Sequence, residues 1–436
     1  MHYGIVGGGM LGLVLAERLS AGGHAVTVLE AAPELGGLAA PWEVGAVQWD
    51  RYYHVIAASD TALCGLLADL GLQSSIVWKT TRTNFYAGTA LWPLNNVFDY
   101  LRLPGLGLFD KARLAATILY AGRISDGAPL EQLSAGEWLT RIGGKRNWMG
   151  LWRPLLRSKL GANVDHASAA YIWSVIRRFY GAREGHARTE RFGYVAGGYR
   201  QVIDSLAARL RRQGVSLRTG SGVRAVSGGA AGLTIALASA DAAIDCDRVI
   251  LTCATPLAAA LCPTFTADER RALQGMRYQG IVCASLLLTR PLGGAYMTYI
   301  TDERIPFTTV IEMSSLVGHQ RFGGHHLVYL PKYVPADDPI FERDDAAIAL
   351  EFKSGLQRMF PDLLPAQIHA SRIARTRHVL AVPGLDYSAT MPRMGTSVPG
   401  LYLINSAQIV NAALSVNDSI RLAHAGAARL LASPAP

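Results

Sequence analysis

Four groups of residues have types and spacings that could do chemistry. The first is Gly7-Gly8-Gly9-Met10-Leu11-Gly12, a G-x-G-x-x-G run, with Glu30 further on. The second is Gly36-Gly37, a few residues after that acid. The third is Tyr53-His54, where an imidazole that titrates near neutrality could orient a substrate or move a proton. The fourth is basic: Arg177, Arg178, Arg183, Arg188 and Arg191 gather around Tyr180 and Tyr194. Such forks could hold a carboxylate or diphosphate, or form a solvated basic face. His54 has a similar alternative, a packed histidine with one backbone hydrogen bond.

The glycine run makes sense only if particular elements position it. His2 to Val6 reads as a short buried strand, Leu13 to Leu19 as a helix, and Ala25 to Leu29 as a second strand ending at Glu30. In that setting Gly7 permits the tight turn out of the strand, Gly9 lets backbone approach a pyrophosphate, and Gly12 lets helix and strand pack closely. The helix start, at Met10 and Leu11, offers free N–H groups and a partial positive charge to the phosphates. Glu30 would accept hydrogen bonds from ribose hydroxyls, which disfavours a 2′-phosphate and therefore NADP.

Glu30-Ala31, Gly36-Gly37 and the residue after them, Leu38, resemble the second glycine motif of the FAD-dependent amine oxidase superfamily. That superfamily includes protoporphyrinogen oxidase, phytoene desaturases and UDP-galactopyranose mutase. Its usual form is E-A-x-x-R-x-G-G-R; Glu34 and Leu38 stand here at the two Arg positions, so contacts made through those side chains are lost or replaced. Gly197-Gly198-Tyr199 with the helix Val202 to Leu210 is similar to a further segment. Gly214–Leu217 and Gly222–Val226 read as paired strands, and the resemblance implies that Val223 meets the adenine through its backbone. Arg248 to Thr252 resembles the strand that returns the chain to the nucleotide domain. Gly400 to Leu403, Asn405-Ser406 and Leu414 to Arg421 resemble the closing strand, turn and helix. The resemblance implies that Asn405, Ser406, Val416 and Asn417 lie along the flavin, although the family has Gly-Asp or Gly-Glu where Asn405-Ser406 stands. Tyr299 to Thr308 is similar to a segment of UDP-galactopyranose mutases.

The expected fold is α/β: a discontinuous Rossmann-like FAD-binding domain and an α+β substrate domain with a mixed sheet and helices. Residues 1–80, 190–280 and 380–436 are assigned to the first, 81–189 and 281–379 to the second. The resemblance implies an FAD-dependent oxidoreductase of oxidase, dehydrogenase or desaturase type. Hydride would pass from a C–N or C–C bond of a small organic substrate to flavin N5, with Tyr53 and His54 as the catalytic candidates. The alternatives are a non-redox flavoenzyme resembling the sugar-nucleotide mutase and a non-catalytic binding protein on the same fold. Amine oxidases commonly place a Lys near flavin N5; Lys332 is the candidate in the expected sheet, but no motif carries the role to it.

Composition narrows the rest. The chain has 436 residues, half of them hydrophobic and 17% charged, so it can bury a large core. The net charge is +9, but only six of 42 basic residues are Lys. The substrate could therefore be anionic, while the spread of charge argues against a nucleic-acid partner. Five Cys without a CxxC pair argue against a disulfide framework and a metal, and fit a cytoplasmic compartment. His319, His325 and His326 surround a turn rather than a ligand set. The uncharged stretch Val249 to Ala267 is broken by Pro256 and Pro263, so it reads as strand and turn. Leu101 to Ala121 reads as an amphipathic surface helix, with peripheral membrane contact as one option. Oligomeric state is not legible.

Overall fold

The computed structural model describes residues 1–88, 90–95, 99, 102–181, 191–229, 232–239, 243–412 and 414–432. Tyr100, Leu101, Arg183, Arg188 and the tail Ser433–Pro436 lie outside the described residues, as does the Tyr180 side chain.

The chain forms an α/β fold with one parallel and one mixed sheet. The parallel sheet has five strands, in the order Leu401–Leu403, Arg248–Leu251, His2–Val6, Ala25–Leu29 and Ser216–Arg218. Its centre is buried on both faces, which is why these strands read as unbroken apolar runs. The helix Met10–Ala21 covers it together with the last helix, Val416–Ala432; Leu13, Val14, Ile420, Ala423 and Ala427 share one core.

The mixed sheet has seven strands. Their order is Ile368–Ala381, Tyr278–Leu288, His326–Pro335, Thr309–Glu312, Met297–Ile300, Thr83–Ala87 and Ala90–Pro93, with the Met297–Ile300 and Thr83–Ala87 pair parallel. Side chains alternate across it. Val282, Ala284, Leu286 and Leu288 pack under the helix Asp345–Met359, through Ile348, Phe352 and Leu356. Ile281, Cys283, Leu287 and Tyr329 point the other way, toward Trp49, Tyr52 and Tyr194. A helical layer completes the fold: Leu108–Arg123, Ala135–Gly143, Arg153–Leu160 and Ala169–Gly181 bury Trp138, Trp152 and Trp173 among themselves. Ser134 opens the second of these helices with a reciprocal cap: its hydroxyl accepts from the Glu137 N–H, and the Glu137 carboxylate accepts from the Ser134 N–H, both at 3.1 Å.

Two expectations change. Ser216–Arg218 and Val223–Gly229 do not pair with each other. The first joins the edge of the parallel sheet; the second enters a separate antiparallel sheet with Gly232–Leu237 and Ala243–Cys246. Gly220, at φ +60°, turns the chain between them. The long strand Ile368–Ala381 is absent from the sequence reading because Arg372, Arg375, Arg377 and His378 interrupt its apolar pattern. It is an edge strand, where such residues are tolerated.

Val249 to Ala267 resolves into a buried strand and the helix Thr255–Leu261. Among the described residues no helix is long and apolar enough to cross a membrane. Leu108 and Phe109, at the start of the helix Leu108–Arg123, are 77% and 76% exposed.

Candidate functional site

The three glycines of the first motif face different demands. Gly7 has φ +115°, and a Cβ there would lie 2.3 Å from Thr252 Oγ1; a Cβ on Gly12 would lie 2.0 Å from the Gly7 carbonyl oxygen. Both are required by the protein itself. Gly9 has an ordinary φ of −73°, and a Cβ on it would meet nothing nearer than Gly37 Cα at 3.8 Å. Neither conformation nor packing asks for glycine at position 9, which leaves its approach open to a ligand.

The second motif lies directly against the first. Gly36 N–H donates to the Gly8 carbonyl at 2.8 Å, and Gly36 and Gly37 have φ of +114° and +60°. The first helical bond runs from Leu13 N–H to Gly9 O, which leaves the N–H groups of Met10, Leu11 and Gly12 without acceptors inside the helix. Met10 and Leu11 side chains are buried, so these residues can serve a ligand only through backbone.

Glu30 is held rigidly. Its carboxylate accepts from Gly8 N–H and from Ala32 N–H, both at 2.8 Å, and two lone pairs remain for ribose hydroxyls. The Glu30 and Ala32 carbonyls accept from Ser221 and Gly220, both at 2.8 Å, so Val223 starts its strand beside exposed Ala31. Leu38 packs with Trp49 and Tyr52 and offers no charge. Arg51 supplies a cation close by. Its N–H donates to Ala40 O at 3.1 Å, and its guanidinium Nε is buried without a partner.

At the C-terminal segment Asn405 is 1% exposed, and its amide serves the protein: Nδ2 donates to Cys253 O at 2.7 Å and Oδ1 accepts from Ala407 N–H at 3.0 Å. Ser406 follows, half-buried. Asn417 Oδ1 caps the helix Thr61–Asp69, accepting from Ala62 and Leu63 N–H at 2.9 and 3.1 Å. Ser415 Oγ takes the Asp418 N–H, while those of Val416 and Asn417 precede it in the first turn.

A second cluster centres on Tyr53 and His54. His54 Nδ1 lies 2.9 Å from Tyr52 O and its ring leans on Tyr199, 5.0 Å between centroids. A carbonyl can only accept, so Nδ1 carries the hydrogen and Nε2 presents a lone pair. Burial pushes the His54 pKa down to about 4. Tyr53 and Tyr333 share a hydroxyl–hydroxyl bond of 2.9 Å, and burial raises Tyr53 to about 12. Both groups are half-buried, as are Tyr333 and Cys253, whereas Lys159 is exposed. The accessible surface of Tyr53, His54 and Tyr333 marks a candidate substrate space. Arg178 closes one side by pairing with Asp60 at 3.0 Å, and the Asp60 carboxyl, raised by burial, also accepts from Ala57 N–H. Asp50 is buried beneath, accepting from Tyr199 N–H at 2.8 Å, with its carboxyl pushed up to about 7.

Lys332 lies one residue from Tyr333 and so on the opposite face of the sheet, away from this space. Of the described arginines of the cluster, Arg178 pairs with Asp60 and Arg177 lies over the Trp173 ring. His319 stacks on His326 and His325 on His369. Among the described residues no group of three or more His, Cys, Asp or Glu is placed to hold a metal.

The profile described as flavin containing amine oxidoreductase matches residues 11–427, and the chain belongs to that family. Its cofactor is accordingly FAD, and the vacant approach at Gly9 together with the orphaned Arg51 Nε fits a dinucleotide. The chain is 24% identical over 246 residues to AofH of Mycobacterium tuberculosis (strain ATCC 25618 / H37Rv), a provisionally named flavin-containing monoamine oxidase. That match covers 53% of this chain and 52% of the relative, so the chain spans about half the length of the curated relative it matches. Solved structures share the fold. A provisionally named protoporphyrinogen oxidase from Exiguobacterium sp. 255-15 has TM-score 0.78 at 17% identity, covering 99% of this chain and 98% of that one. Putrescine oxidase bound to putrescine has TM-score 0.72 at 17% identity, covering 99% and 100%. Reduced UDP-galactopyranose mutase has TM-score 0.75 at 16% identity, covering 99% and 95%.

Proposed function

We propose that this chain is an FAD-dependent oxidoreductase that oxidises a C–N or C–C bond of a small organic molecule. The observation that carries the reading is the pair of sites just described: a glycine cradle with one position left open, and a half-buried cluster of Tyr53, His54 and Tyr333 with Tyr199 packed beside His54. FAD, when bound, accepts the hydride at N5. Gly9, the first-turn N–H groups and Arg51 would hold the pyrophosphate, and Glu30 the ribose. Tyr53 and Tyr333 would orient the substrate through their linked hydroxyls. His54 would hold a proton acceptor, Nε2, in a dry setting where it stays neutral above about pH 5. The low-dielectric walls exclude water from the reacting bond.

The test is spectroscopic. Purified protein should carry flavin bands, and an anaerobic screen of amines, prenyl chains and nucleotide sugars should find a compound that bleaches them. Colourless protein that FAD cannot reconstitute overturns the reading. Turnover of a nucleotide sugar with no net loss of flavin absorbance would replace it with non-redox chemistry.

A further inference from the structure

The helix Leu108–Arg123 is apolar on two faces, and one of them is exposed. Leu114, Thr117 and Ala121 turn inward and are buried. Leu108, Phe109, Ala112, Ala116, Leu119 and Tyr120 are all exposed. They recur at three- and four-residue steps, so they form one stripe along the opposite face. The first charge on that face is Arg123, the last residue of the helix. Exposed Met149 lies at the start of the stripe: a Cβ on its neighbour Gly150 would stand 3.7 Å from Leu106 Cδ2, two residues before the helix. Five of the twelve exposed large apolar side chains among the described residues thus fall on this surface. An apolar patch of that kind marks an interaction site.

The stripe has a cationic border. Lys111 and Arg113 flank it, one on each side, and Lys145 and Arg146 lie in the turn before Met149. Arg113 is held along the Gly144 turn, donating to Ile142 O and Arg141 O at 2.9 Å. Arg146 stands 3.7 Å from Asp110 and its side chain is still 82% exposed. Residues 102–149 carry seven Lys or Arg against four Asp or Glu, of which Glu131 is buried. Charge therefore chooses the occupant. A second copy docked through this face would set the same border against itself, cation on cation. A bilayer with acidic headgroups sets phosphates against the border and hydrocarbon against Leu108 and Phe109.

We propose that this face rests on an anionic lipid bilayer, with the helix Leu108–Arg123 lying in the plane of the interface. It stands whether or not the flavin reading holds. The experiment sediments the full chain with vesicles of phosphatidylcholine alone and with added phosphatidylglycerol, beside light scattering for oligomeric state. The acidic vesicles should bind at least about tenfold more tightly than the neutral ones. L108S/F109S should weaken that binding about tenfold to a hundredfold, the loss of two side chains from hydrocarbon. K145S/R146S should remove most of the preference for acidic lipid. Both variants should keep the wild-type melting temperature and flavin content. No binding to acidic vesicles, equal binding to both compositions, or undiminished binding by L108S/F109S overturns the proposal. A dimer that L108S/F109S dissociates also overturns it, by assigning the face to a second copy. An L108S/F109S chain that cannot fold overturns it too, because the two side chains would then serve the core.

Discussion

Replacing Gly9 with alanine separates a ligand's demand for glycine from the protein's. The new methyl would meet only Gly37 Cα, at 3.8 Å, an ordinary contact. Gly9 is the N-cap of the helix Met10–Ala21 with no side-chain cap to lose. The cost to the fold is then that of alanine at an N-cap, about 1 kcal/mol or less, or a fall in melting temperature of about 2–4 °C. The cofactor should respond very differently. A methyl at position 9 holds the pyrophosphate away from the first-turn N–H groups. Losing two charge-assisted hydrogen bonds at about 1.5–3 kcal/mol each weakens FAD about a hundredfold to ten-thousandfold. The assay is flavin absorbance per protein after gel filtration, beside thermal unfolding of the apoprotein. G12A is the contrast: its methyl would lie 2.0 Å from a backbone oxygen, so it should lose fold and flavin together. G9A that keeps stoichiometric, tightly bound flavin refutes the placement of the pyrophosphate. G9A that cannot fold refutes the claim that packing leaves this position free.

Three further outcomes are expected. Asp50, with its folded pKa raised to about 7, keeps its proton between about pH 4 and 7, where the unfolded chain has lost it; stability therefore falls as pH rises through that window. The loss amounts to as much as about 4 kcal/mol, and D50N should flatten it in urea midpoints taken at both ends; identical slopes would refute the buried acid. His54 should stay neutral above about pH 5, so flavin reduction should show no limb near pH 6.5, and H54Q should leave the shape of the profile unchanged. A limb there that H54Q abolishes would make His54 a titrating base. Asn405→Ala strands the Cys253 carbonyl and the Ala407 N–H, and should cost about 2–4 kcal/mol in denaturant melts. A loss under about 1 kcal/mol would show that solvent replaces those bonds.

The local geometry of the glycine turns was legible because backbone demands are local. Gly12 and Glu30 answer to neighbours within one strand–turn–helix unit that a single sequence displays whole, and Gly7 adds to its local φ of +115° an approach to the distant Thr252. The cluster around Tyr53 and Tyr333 was not legible in the same way. Lys159 meets Tyr333, Tyr333 meets Tyr53, and Arg178 meets Asp60, each across a long stretch of chain that no periodicity links. Arg51 falls between these cases: the loss of arginine at positions 34 and 38 announced a replacement without locating it. Asn405 and Asn417 were read as partners of a flavin, and their side chains turn out to cap other segments, a use that amide chemistry permits equally well. For His54 the sequence left two readings, and the structure contains parts of both: one backbone hydrogen bond, and a free nitrogen beside accessible space.

The order of strands in the parallel sheet has a consequence for biosynthesis. His2–Val6 leaves the ribosome long before Leu401–Leu403, which completes the sheet, and before the helix Val416–Ala432, which covers it. At about 5–20 residues per second, the first glycine loop waits on the order of 20–80 s for the strands and helix that cover it. Until then the apolar strands of the early βαβ unit lack neighbours, and their exposed edges invite pairing with other chains. A nascent chain arrested before residue 400 should thus depend on chaperones and carry no flavin, while release of the last helix should let it capture the cofactor.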